Sequence, residues 1–143
     1  MLVDQILDAK GRDVETVAPD ATIADAVRVL TARNVGALVV SADGSTVDGI
    51  VSERDIVRCL ASEPRVLERR VEELMVSDVA TCEGGAHIEE LMNTMTSGRF
   101  RHVPVVRDGR LDGIVSIGDV VKARIDELAT ETQQLVGYIQ NGR

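Results

Sequence analysis

Large aromatic side chains are almost missing from this chain: among 143 residues there is one phenylalanine, Phe100, one tyrosine, Tyr138, and no tryptophan. That removes the stacking platforms on which binders of single-stranded nucleic acid depend, and any purine held here is held between aliphatic side chains. Positive charge is also scarce. Sixteen Lys and Arg stand against 24 Asp and Glu, a formal net charge of -8, so the long-range field repels nucleic acid and anionic membranes, and neither is expected as a partner. A phosphate must therefore be held locally. The two cysteines, Cys59 and Cys82, form no Cys-x-x-Cys and indicate no disulfide framework; both are expected as buried, reduced core filler. No long apolar run occurs, and Met1-Leu2-Val3-Asp4 carries an acid where a signal peptide carries a base, so the chain is expected to be soluble and cytoplasmic. With no metal-ligand cluster, nucleophile-base pair or phosphate-transfer loop, the expectation is a protein that is not an enzyme and has no metal or catalytic cofactor.

What the chain does have is repetition. Gly49-Ile50-Val51-Ser52-Glu53-Arg54-Asp55-Ile56-Val57-Arg58 returns 64 residues later as Gly113-Ile114-Val115-Ser116-Ile117-Gly118-Asp119-Val120-Val121-Lys122. In each copy a β-branched run bounded by Gly passes without a spacer into apolar positions at helical spacing, which predicts a strand running into a helix N-terminus. The flanks repeat too. Val3, Ile6 and Leu7 predict a short helix closed by Gly11, and Val71 to Met75 echoes it. Strands are predicted over 14–18 and 79–83. The helix face Ile23, Ala26, Val27, Leu30, opened by a Thr22/Asp25 capping box, reappears as Ile88, Leu91, Met92, Met95. Ala37 to Val40 and Val103 to Val106 predict buried strands, followed by turns at 42–45 and Asp108-Gly109; the first turn leads into a strand over 47–52 and a helix from Glu53 to about Ala61. The fold class is thus α+β: two tandem β-α-β-β-α repeats. Half a chain of this size exposes too much surface to be stable alone, so the copies are expected to pack as a pseudo-two-fold pair with clefts along the junction, where ligand sites favour forming.

The Ser-x-x-Asp in each copy has two readings. It resembles a capping box, in which hydroxyl and carboxylate satisfy orphan backbone donors. Equally, a helix N-terminus with a Ser hydroxyl suits a phosphate, and a carboxylate one turn in can accept from a ribose diol.

Asn34-Val35-Gly36-Ala37-Leu38-Val39-Val40 with Gly49 to Asp55, and Arg101-His102-Val103-Pro104-Val105-Val106 with Gly113 to Asp119, resemble the cystathionine-β-synthase (CBS) domain family over about residues 3 to 128. The tandem arrangement is the specific part of the match. The resemblance implies a CBS pair, or Bateman module, similar to stand-alone two-CBS proteins of bacteria and plant organelles. It further implies binding of an adenine nucleotide such as AMP, ADP, ATP or NAD in the clefts between repeats, and, as for some relatives, redox- or energy-linked regulation of another protein. Carried over, Asp55 and Asp119 would hold ribose hydroxyls, Ser52 and Ser116 would lie near phosphates, and Val35, Gly36, Ala37, Leu38 with Phe100, Arg101, His102 and Val103 would flank adenine. The basic pair before Pro104, Arg101 and His102, would meet phosphates; the first copy has Gly36 and Ala37 there, so the clefts need not bind alike. Arg54, Arg99 and Lys122 lie near the same elements, where ordinary solvated surface charge is the simpler role; of the three only Arg54 is counted, with Pro104, among the expected ligand-binding residues. His87 is expected as a cap or surface residue, and Met92 and Met95 as core.

The expected organisation is a first repeat over 1–64, a connector over 65–70, a second repeat over 71–129 and a C-terminal helical tail over 130–143. The last helix is expected to run past the repeat through Val121, Ile125 and Leu128, with Leu135, Val136 and Ile139 continuing intermittently. Its apolar side needs a cover, across the module or on a second subunit, and a homodimer is expected. A ligand-independent dimeric adaptor is the competing reading.

Overall fold

The computed structural model describes residues 1–141; Gly142 and Arg143, at the end of the expected tail, lie outside the described residues. In chain order the elements of the first half are α1 (Val3–Lys10), β1 (Thr16–Val17), α2 (Ile23–Arg33), β2 (Ala37–Val40), β3 (Gly49–Ser52) and α3 (Glu53–Leu60). A single 3₁₀ turn, Val66–Glu68, occupies the connector. The second half follows as α4 (Val71–Leu74), β4 (Cys82–Glu83), α5 (Ile88–Gly98), β5 (His102–Arg107), β6 (Arg110–Ser116) and α6 (Ile117–Asn141).

Each half forms its own three-stranded sheet. β1 lies parallel to β2 across the α2 crossover, and β2 lies antiparallel to β3; β4, β5 and β6 repeat the arrangement. The helix signals hold. Thr22 Oγ1 accepts from Asp25 N at 3.1 Å while Asp25 Oδ2 accepts from Thr22 N at 3.2 Å, closing the expected capping box. Ile23, Ala26 and Leu30 are buried, as are Ile88, Leu91 and Met95.

Several strands are shorter than their sequence pattern suggests. β1 is Thr16–Val17 rather than 14–18, β4 is Cys82–Glu83 rather than 79–83, and β3 begins at Gly49 rather than Val47. The last has a visible cause. The Asp43 carboxylate accepts from the backbone N–H groups of Ser45 and Thr46 at 2.8 and 2.7 Å and Asp48 accepts from Ala42 N at 2.9 Å, so side chains hold residues 42–48 in a loop. The second hairpin is tight, with Asp108 and Gly109 both at positive φ (53° and 77°), as a two-residue turn between twisted strands requires. Both cysteines are half-buried rather than buried. Burial pushes the Cys82 thiol up to about 11, away from thiolate chemistry at neutral pH.

The halves exchange their leading helices. Val3, Ile6 and Leu7 of α1 belong to the core built on β5, β6 and α5, whereas Val71 and Leu74 of α4 pack with the core built on β2, β3 and α2. Two glycines make this possible. A Cβ at Gly113 would stand 2.7 Å from Leu7 Cδ2, and one at Gly49 would stand 2.6 Å from Met75 Sδ, closer than real contacts allow. Glycine in each repeated motif therefore serves a close helix-on-sheet approach from the other half.

Candidate site: a cleft between the repeats

The repeated motif folds twice into a strand that becomes a helix. At the first copy Ser52 caps α3: its Oγ accepts from Asp55 N at 3.2 Å and donates to Asp55 Oδ2 at 2.8 Å. At the second, Ser116 Oγ accepts from Asp119 N at 3.2 Å and Asp119 Oδ2 accepts from Ser116 N at 2.9 Å. The capping geometry is real in both copies. It leaves Oδ1 of Asp55, and likewise Oδ1 of Asp119, without a hydrogen-bond partner among the described residues.

Beside Ser52 and Asp55 the junction opens into a cleft of about 310 Å³, the lower end of the range typical of small-molecule sites. Its construction mixes the halves. The floor is the start of α3 with Gly36, Ala37 and Ile50; the opposite wall is Arg99, Phe100, Arg101 and His102, where α5 gives way to β5; and Val76, Val79 and Ala80, leading into β4, supply a small apolar side. Mirrored hydrogen bonds hold the arrangement: Glu53 N donates to Gly36 O at 3.0 Å and Ile117 N donates to Arg101 O at 2.8 Å, each tying a helix start to the segment before its own half's central strand.

The cleft collects an excess of positive charge, four arginines against the carboxylates of Glu53 and Asp55. Among the described residues, Arg54, Arg58, Arg99, Arg101, Arg110 and Lys122 make no ion pair, and the first four all line it. In a chain of net charge -8 this is the local cation cluster that phosphate binding needs. His102 is held below its ordinary pKa by burial, with Asp119 and Glu53 opposing and Lys10 and Arg101 reinforcing the shift.

Of the residues singled out from sequence, the cleft brings together Gly36, Ala37, Ser52, Arg54, Asp55, Phe100, Arg101 and His102. Leu38, Val103 and Pro104 are instead buried in the sheets, and Val35 is exposed at the end of the turn after α2. Ser116 and Asp119 lie elsewhere, at the start of α6, where Asp119 is bonded to Lys10 at 2.7 Å. Burial alone would raise the Asp119 pKa, but the Lys10 ammonium and the Ser116 N–H outweigh it and hold the carboxyl below its usual value. Sequence reasoning missed Arg58, one turn beyond Asp55, set Arg99 aside as surface charge although it lines the cleft, and missed Val76, Val79 and Ala80. The α4 exchange brings the last three in, and no local pattern announces it.

The CBS domain profile matches residues 7–62 and again 71–126. The chain belongs to the CBS domain family. This CBS pair is 35% identical over 98% of its length to the mitochondrial CBS domain-containing protein CBSX3 of Arabidopsis thaliana, covering 72% of that protein. It superposes on a CBS-domain containing protein from Agrobacterium tumefaciens with a TM-score of 0.83 and 49% identity, over 87% of this chain and 99% of that one. The CBS domain pair of protein MJ0100, solved with 5′-methylthioadenosine and S-adenosyl-L-methionine, superposes with a TM-score of 0.78 and 26% identity, over 89% of this chain and 98% of that one. No helix among the described residues is long and apolar enough to cross a membrane.

Proposed function

We propose that this CBS pair is a regulatory module, without catalytic activity of its own, that binds an adenine nucleotide (AMP, ADP, ATP or NAD) in the cleft between its repeats and reports energy or redox state to a partner protein. The observation that carries the reading is the cleft itself: one free carboxylate oxygen on Asp55 beside a capped helix start, small aliphatic walls, and four unpaired arginines. The adenosine ligands named for the MJ0100 pair support the adenosine half of the ligand. The arginines support an anionic tail, since a guanidinium forms its strongest pairs with phosphate. In this arrangement Asp55 accepts from the ribose diol, Gly36, Ala37 and Phe100 flank the base, and Arg54, Arg58, Arg99, Arg101 and His102 face the phosphates.

The module is further proposed to act as a homodimer. Supporting this, α3 and α6 expose apolar side chains at matching repeat positions, Val57 at 65% and Val121 at 47%, and α6 continues the face through Ile125, Leu128, Leu135 and Ile139. That face also favours the adaptor reading, in which assembly matters and the ligand does not.

A thermal-shift screen with AMP, ADP, ATP, NAD and S-adenosylmethionine decides between the two, because a ligand that binds only the folded chain raises its apparent stability. At least one nucleotide is expected to raise Tm and to lose roughly tenfold or more in affinity in Asp55→Ala, the cost of removing a charged hydrogen-bond acceptor. No shift with any of the five would leave the adaptor.

A further inference from the structure

The two ends of the junction are built from the same repeat yet are chemically different, and the difference traces to three residues. Val71 follows Val3 by 68 positions, whereas Val79 follows Val14 by 65, so the first copy carries three extra residues between its leading helix and its first strand. They extend α1 to Lys10, eight residues against four in α4. Because α1 packs on the second half, the added turn projects onto the second motif. Lys10 Nζ donates to Asp119 Oδ2 at 2.7 Å and to Ile114 O at 2.9 Å. The repeat mates of Ile114 and Asp119 are Ile50 and Asp55, both lining the open cleft. In the open cleft Ile50 O accepts instead from Val76 N at 2.9 Å and, among the described residues, no cation is bonded to Asp55, so the ammonium beside Asp119 is what the other half lacks. Arg12 fastens the far side of the extension, pairing with Asp112 at 2.6 Å, Asp8 at 2.8 Å and Asp4 at 3.1 Å.

We infer that Lys10 bars the second cleft from within the chain, so that this module takes one nucleotide rather than two and Asp119 serves as the anchor of the bar. The inference rests on the nucleotide reading above. Lys10 Nζ and Ser116 N both bond Asp119 Oδ2, so the bar acts through an ammonium standing beside the carboxylate, where a ribose would approach, rather than by occupying both of its oxygens. The second cleft also offers an incoming phosphate fewer cations: the mates of Arg54, Arg99, Arg101 and His102 are Gly118, Asn34, Gly36 and Ala37, and only that of Arg58 is basic, Lys122.

Titration calorimetry of the full chain with AMP tests this. The unaltered chain is expected to bind one AMP; Asp55→Ala weakens it about tenfold or more, and Asp119→Ala changes it by less than about twofold. Lys10→Ala, at a partly exposed position whose loss leaves both cores intact, is expected to bind a second AMP, which Asp119→Ala in the same chain then removes. Two AMP molecules on the unaltered chain, or still only one on Lys10→Ala, would overturn the bar while leaving the nucleotide reading in place. An unaltered chain that binds no AMP and gives no shift with the other nucleotides would sink the reading and the inference with it.

Discussion

Arg101 and His102 adjoin in sequence and line one cleft, yet their surroundings make them different instruments. Arg101 is exposed and without an ion pair, so its charge is available to a ligand. Arg101→Ala is expected to weaken ATP about tenfold and adenosine hardly at all, since only the former supplies charge-assisted partners; equal losses in calorimetry would reduce Arg101 to packing. For His102, burial lowers the folded-state pKa below 6.5. A base shifted this way is protonated first in the unfolded chain, so its contribution to stability is complete above the unfolded pKa and is lost as pH falls below it. Between about pH 7.5 and 5.5 the unaltered protein is expected to lose more thermal stability than His102→Gln, which cannot titrate. Parallel losses would mean that His102 keeps its ordinary pKa in the folded chain.

At the scale of elements, the exchange of leading helices makes each half depend on a segment encoded in the other. Leu7 is fully buried against the second half. Leu7→Ala is expected to cost about 2 to 5 kcal/mol as a large-to-small core substitution, and hydrogen exchange should quicken in β6 while β3 stays protected. Loosening of β3 instead would contradict the exchange. Gly49→Ala is the mirrored experiment. A methyl meeting Met75 Sδ at 2.6 Å and Val76 O at 2.9 Å must push α4 outward, at an overpacking cost of about 1 to 3 kcal/mol. Because Val76 lines the cleft, nucleotide affinity is expected to fall with Gly49→Ala and to hold with Gly113→Ala. The glycines themselves are visible in sequence as the start of each motif. What faces them is not, because residues 7 and 113 meet only through tertiary packing.

For the whole molecule the open question is what covers α6. The helix is unbroken from Ile117 to Asn141, across the expected division at 129/130, and buries only Val120 and Ala123 fully. Its exposed Val121, Ile125, Leu128, Leu135 and Ile139 follow the alternating three- and four-residue spacing of a helix-packing stripe, with Thr132 filling the remaining place. Removing 130–143 is expected to leave a dimer at micromolar concentration by light scattering if Val57, Leu60, Val121 and Ile125 carry the contact, and a monomer if the tail does. A monomeric full-length chain with nucleotide present would refute the dimer.

Sequence by itself determined the repeat, the α+β class, the order of elements, the capped helix starts and the identity of the two Ser-x-x-Asp motifs, because each is written in spacing between neighbours: period 3.6, period 2, Gly and Asp at turns, a 64- or 65-residue return. It also placed Arg101, His102, Ser52 and Asp55 among the candidates. Only the tertiary structure decided that these four meet in one cleft, that Arg58, Val76, Val79 and Ala80 complete it, and that Asp119 pairs with Lys10. The reason is physical: strand pairing is satisfied within each half by local pattern, whereas the two cores and the cleft join residues far apart in sequence, up to 66 positions in the cleft (Gly36 to His102), whose approach follows from which helix packs on which sheet. That choice rests on a glycine opposite a side chain and on the length of one helix, neither of which a local reading can join.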